Sequence, residues 1–112
     1  MNVCSFTGFL LEEPYLDEKD GVSFLEFKLI TYSYRRSKST GEKTKIPTVL
    51  TFEAWHTGAA TIAKLATKGD KMTVYASARN KSRDDETIVF RVNEFDFGCL
   101  NSNKKGRDYL NG

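Results

Sequence analysis

The residues of this 112-residue chain best equipped for chemistry are aromatic rings set among lysines and arginines. Tyr32 and Tyr34 run directly into Arg35, Arg36 and Lys38, and Lys43 and Lys45 follow across a Thr40-Gly41 pair. Trp55, the only tryptophan, closes the stretch "TVLTFEAW". There Leu50, Phe52 and Ala54 alternate with Val49, Thr51, Glu53 and Trp55, so the indole falls on the mixed, mostly polar side of a strand. Tyr75 shares one side of a later strand with Arg79, and Lys81 and Arg83 come next. A flat ring beside a cation offers a stacking plate and a phosphate partner. Those are what an unpaired nucleic-acid strand needs, because its bases expose their faces and its backbone is anionic.

Other chemistry is thin. There is no Gly-rich phosphate loop, and "GEKTK" lacks the P-loop spacing and the strand before it. His56 is the single histidine, read as a surface residue at a strand-to-helix junction. Glu12 and Glu13 are adjacent and point apart, unlike a converging acid–base pair. Cys4 and Cys99 form no CxxC pair and complete no metal site with His56; they read as buried thiols in a reducing compartment. An enzyme is therefore not expected, and no cofactor or metal is implied.

Charged residues are 29% and hydrophobic residues 39%, the balance of one folded domain rather than a disordered chain. No apolar run approaches the ~20 residues of a membrane span, and the opening "MNVCSFTGFLLEEP" does not read as a signal peptide. Net charge is only +2, but it is polarised: 12–20 is acidic and 35–45 strongly basic. A basic segment of this kind is an electrostatic footprint for a polyanion or, more plainly, a solvated loop.

The elements that must position these residues follow from period and punctuation. "NVCSFTGFL" reads as a first strand with Cys4, Phe6, Gly8 and Leu10 on one face, Gly8 marking a bend or bulge. Asp20-Gly21 is a tight-turn signal. Residues 22–34 form a second strand, apolar on both faces near its end and so expected to be covered on both. A basic loop, 35–46, joins it to a third strand, 47–55. Ala59, Ile62, Ala63, Leu65 and Ala66 follow helical spacing, with Gly69 placed as C-cap. A fourth strand, 71–81, puts Met72, Val74, Ala76 and Ala78 inward, and a fifth spans 87–97. The order β-β-β-α-β-β is too few strands for a sandwich. It predicts an all-β domain with one short helix, a five-stranded OB-fold barrel over 1–98, and a short, flexible tail over 99–112. Single aromatics on strands often pack: Tyr32, Phe24 and Phe95 lean that way, Tyr34 and Tyr75 stand between, and Trp55 leans toward a ligand. Glu53 and Glu26, awkward beside a polyanion, are expected to pair with Lys28 or Arg79 or to face away.

In this order and spacing the segments resemble the bacterial and phage single-stranded DNA-binding proteins of the replication type. Gly8, Leu10, Glu13 and Pro14 match the G-x-L and acidic-Pro start. "VSFLEFKLIT" is similar to the second strand, "STGEKTK" to the tip of the long loop, "TVLTFEAW" to the strand entering the helix, and "IAKLATKGDKMTVYASAR" to the helix and fourth strand. The resemblance covers about 1–97. It implies an OB fold that binds single-stranded DNA with little sequence preference in replication, recombination and repair, without a cofactor, in a bacterial cytoplasm or a phage host's. It implies stacking by Trp55 and, within a residue, Tyr34, basic contacts from Arg79 and Lys81, and a homo-oligomer, tetramer or dimer.

Three departures qualify it. Val49 stands where many members carry an aromatic. The hairpin "KSRDDET" lacks the usual ring, leaving Arg83 to substitute. The long linker and acidic, Phe-ended tip are absent, which suggests a phage- or mobile-element-encoded form, or recruitment of replication proteins by another route. The alternatives left open are an accessory, primosome-type OB protein working through protein contacts, an enzyme subunit with a shared site, and RNA as ligand, since stacking does not read the 2′-OH.

Overall fold

The computed structural model describes residues 1–99; from residue 100 onward the expected tail lies outside the described residues. The elements are β1 (Cys4–Leu10), β2 (Asp17–Lys19), β3 (Val22–Arg36), β4 (Lys43–Trp55), α1 (His56–Leu65), β5 (Lys71–Ser82) and β6 (Asp85–Cys99). The sheet runs β1-β5-β6-β4-β3-β2, and β1 also pairs with β3. That last pairing closes a ring of the five long strands, β1-β5-β6-β4-β3, with α1 between the third and fourth. The predicted barrel and strand order are what the structure shows. β2 is an addition: a three-residue strand on the outside of β3, joined to it by the Asp20-Gly21 turn. Both turn residues have positive φ, 52° and 77°, as a two-residue hairpin requires.

The alternation read from the sequence sorts the barrel correctly. Leu25, Phe27 and Leu29 of β3 face inward with Phe52 and Ala54 of β4, Met72, Val74 and Ala76 of β5, and Leu10 of β1. Phe27 and Phe52 lie with centroids 5.4 Å apart and planes nearly parallel, at 22°. Helix α1 adds Ala59 and Ile62, which close one end of the core. Its small residues let it sit close against β3 and β4. Full burial of side chains such as Leu25 or Ile62 contributes about 1.5–3 kcal/mol each.

Four local expectations change. The helix stops at Leu65, and Ala66, in extended conformation, caps it. Gly69 lies beyond, in a loop with φ 92°, where its N–H bonds the Leu10 carbonyl at 2.8 Å. Gly8 marks a close approach rather than a bulge: a Cβ there would meet the Ile30 carbonyl oxygen at 2.7 Å. Only glycine lets β1 cross onto β3. The end of β3 is not covered on both faces, for Tyr32 through Arg36 are exposed. Half of the expected loop over 35–46 is strand. β3 and β4 stay paired in register out to Arg36 opposite Lys43, leaving a tip of residues 37–42 closed by Ser37 N–H to the Glu42 carbonyl at 2.8 Å.

Candidate nucleic-acid interface

The β3–β4 pair is a long two-stranded ribbon, and its outer face can be read from the register. The facing pairs are Phe24–Trp55, Glu26–Glu53, Lys28–Thr51, Ile30–Val49, Tyr32–Pro47, Tyr34–Lys45 and Arg36–Lys43. All lie opposite the core set, because side chains alternate along each strand. Two of the predicted rings, Tyr32 and Tyr34, and three of the predicted cations, Arg36, Lys43 and Lys45, therefore share one face. Tyr32 and Tyr34 are exposed. Lys45 places Nζ 3.9 Å from the Tyr32 ring centre, and Lys43 Nζ lies 4.5 Å from that of Tyr34. Each exposed ring thus carries a cation already. Arg35 belongs to the opposite face of β3, and Lys38 to the ribbon tip.

Trp55 stands at the other end of the ribbon and is half-buried. Its ring lies 4.6 Å from that of Phe24, centroid to centroid, and Phe24 is buried beneath it. Lys19 of β2 sits over the Phe24 ring at 4.3 Å. The indole Nε1 is buried and has no hydrogen-bond partner, so contacts of the ring itself hold the side chain. The chain reverses into α1 at His56, whose φ of 58° is a left-handed conformation uncommon outside glycine.

Arg91 is the residue that the sequence reading missed. Strand β6 meets β4 in a short parallel pairing, Phe52 with Phe90 and Glu53 with Arg91. This sets the Arg91 guanidinium 5.8 Å from the Trp55 ring centre and its Nε 3.1 Å from Glu53 Oε1. Glu53 pairs with Arg91 rather than with Lys28 or Arg79. Arg91 also lines two adjoining clefts. One, of about 510 Å³, holds Trp55, His56, Val22 and Val92. The other, of about 710 Å³, holds Asn2, Arg79, Lys81 and Arg83. The predicted cations Arg79, Lys81 and Arg83 thus line a cleft that shares Arg91 with the cleft beside Trp55. The signal was present: Arg91 lies between the inward Phe90 and Val92, so its side chain must point out.

Tyr75 is placed elsewhere. It pairs with Ser5 of β1 and Glu94 of β6, and β1 separates it from the ribbon. The structure does not bring it together with Tyr32, Tyr34 or Trp55. At the hairpin turn, the Thr87 side chain and then its backbone N–H hold the Asp85 carboxyl below the usual carboxylate range. That stabilisation is present above the ordinary carboxylate pKa and fades as pH falls through the lowered one. Among the described residues no cluster of metal-binding side chains occurs, and no helix is long and apolar enough to cross a membrane.

Comparison with solved structures places this geometry. A deletion variant of the single-stranded DNA-binding protein of Thermus aquaticus superposes with a TM-score of 0.75 at 18% identity, over 93% of this chain and 53% of that one. The Plasmodium falciparum SSB in complex with single-stranded DNA gives 0.70 at 19%, over 87% of this chain and 92% of that one. This chain has an OB fold. The wild-type Thermus aquaticus protein gives 0.70 at 18%, over 87% and 50%. The OB barrel described above thus spans about half the length of the Thermus aquaticus chains. No family model matches the sequence, and no curated protein matches it.

Proposed function

We propose that this OB protein binds single-stranded DNA without marked sequence preference and shields it during replication, recombination and repair. The observation that carries the reading is the outer face of the β3–β4 ribbon: exposed Tyr32 and Tyr34, each with a lysine over its ring, leading along one face to Trp55 and Arg91. Bases stack on the rings, and the ammonium and guanidinium groups turn to the phosphates. Arg35, Arg36, Lys38, Lys43, Lys45, Arg79, Lys81 and Arg83 supply the rest of the neutralising charge. Tyr75 contributes only if the strand also wraps across β5. No step is catalytic and no cofactor takes part. The protein works as a homo-oligomer, in a bacterial cytoplasm or that of a phage's host.

Titration with oligo-dT tests this. Trp55 emission is quenched on binding, and affinity falls steeply with added salt as counterions are released. Trp55→Ala loses about 1–3 kcal/mol of binding and stays folded, since the ring lies outside the core. Unchanged emission at saturating oligo-dT in low salt, or an unfolded variant, contradicts the assignment of Trp55. Light scattering during the same titration reports the assembly.

A further inference from the structure

Val49 leaves the ribbon without a ring at its middle, and the barrel closure supplies one from a different strand. Phe9 of β1 pairs with Ile30 of β3, which pairs with Val49 of β4. The three side chains form a lateral row across three adjacent strands. They lie on the outer face, because Leu10 and Leu29, one residue along, are in the core. Phe9 is 41% exposed and Val49 49% exposed. The Phe9 ring stands 6.4 Å from that of Tyr32, the next outward residue of β3, and Tyr32 faces Pro47. An exposed apolar step thus runs across three adjacent strands, and contiguous exposed apolar surface marks a contact site.

We propose that Phe9 and Tyr32 form a second base-stacking station, with Ile30, Val49 and Pro47 as its floor, seated by single-stranded DNA. This rests on the single-stranded DNA reading and extends it to a residue on β1. The rim decides for a nucleic acid over a second protein surface. Lys45 reaches over Tyr32, and Lys28 lies two residues from Ile30 on the same face. Lysine is depleted in protein–protein interfaces, while phosphates beside stacked bases need such cations. The nearest carboxylates on the ribbon face, Glu26 and Glu53, are four residues from Ile30 and Val49, about 13 Å toward Trp55. The close approach at Gly8 fixes Phe9 in this position, so the station is built by the backbone crossing of β1 and β3.

The test places a reporter at the site. Phe9→Trp in a Trp55→Phe background gives a protein whose only tryptophan is at position 9, and its emission is quenched by oligo-dT. Phe9→Ala weakens oligo-dT binding about fivefold or more, as loss of one stacked base requires. It leaves the salt dependence unchanged, because no phosphate contact is removed. Phe9→Tyr restores affinity; Phe9→Leu, apolar but without a ring, does not. An unquenched position-9 reporter, while a labelled oligo-dT still binds by anisotropy, overturns the proposal. So does a Phe9→Ala protein of full affinity, or one whose sedimenting mass falls, which would make the patch an interface between copies. If the unaltered protein fails to bind oligo-dT, the single-stranded DNA reading itself fails. If it binds with Trp55 quenched and only the Phe9 results are negative, the second station alone is wrong.

Discussion

At the scale of single residues, Arg91 and Glu53 set how much of the charge near Trp55 is available. Arg91 Nε is held 3.1 Å from Glu53 Oε1, with 40% of the arginine side chain exposed and 18% of the glutamate's. The carboxylate fixes the guanidinium beside the indole but also neutralises it. A phosphate arriving at Trp55 must compete with Glu53. Replacing Glu53 by glutamine keeps a hydrogen-bond acceptor and removes the charge. Glu53→Gln is therefore expected to bind oligo-dT more tightly at low salt. The slope of log affinity against log salt steepens by about 0.7, one further phosphate contact on a single strand. A slope unchanged or shallower shows that Arg91 serves the barrel rather than the ligand. Trp55 was legible because Leu50, Phe52 and Ala54 alternate so cleanly against it. Arg91 and Phe9 are not legible in this way, for each sits between two inward residues in a strand whose outward side carries no run of similar side chains. What makes them part of a site is a neighbour on another strand, and that neighbour is known only once the barrel closes.

At the scale of elements, the ribbon shows where sequence patterning stops reporting structure. The stretch 35–46 has no apolar alternation and is rich in charge, so it reads as loop. The structure pairs Arg35 with Thr44 and Arg36 with Lys43 all the same. These pairs hold through the backbone ladder and through lysines lying on tyrosine rings, not through burial, and a hydrophobic pattern cannot register that. The helix ends early for a related reason: Gly69 is where a C-cap belongs locally, but the loop is tied to β1 by the bonds between Leu10 and residues 69 and 70. Gly8 is the element-scale residue on which the site depends. Its missing Cβ allows β1 to cross β3, and a methyl group there would meet backbone that cannot yield cheaply. Gly8→Ala is expected to destabilise the protein by about 1–3 kcal/mol, the cost of overpacking. The surviving folded fraction should also bind oligo-dT less well than the parent, by no more than the loss in Phe9→Ala, since the crossing that aims Phe9 is pushed apart. A melting temperature equal to the parent's shows that the crossing is looser than described.

At the scale of the whole molecule, the closed barrel bears on whether the proposed ligand is a single strand or a duplex. A duplex hides its base faces and offers phosphates and groove edges, and reading a groove takes an inserted helix or ribbon. Here α1 plugs the barrel end with Ala59 and Ile62 turned into the core. The β3–β4 ribbon presents rings across its outer face rather than a narrow edge. A duplex can therefore use the lysines and arginines but not the rings. Counting only two stacked bases at about 1–3 kcal/mol each, single-stranded oligo-dT should outcompete a duplex of equal length by roughly 30-fold to 10⁴-fold. The advantage should persist at high salt, where the electrostatic part common to both is screened. Oligo-rU should compete within a few-fold of oligo-dT, because a ring stacked on a base does not sense the 2′-OH. Competition measured at two salt concentrations separates these contributions. Equal competition by duplex and single strand at both salts means that the rings take no part, and that the face of the barrel is a basic surface and nothing more.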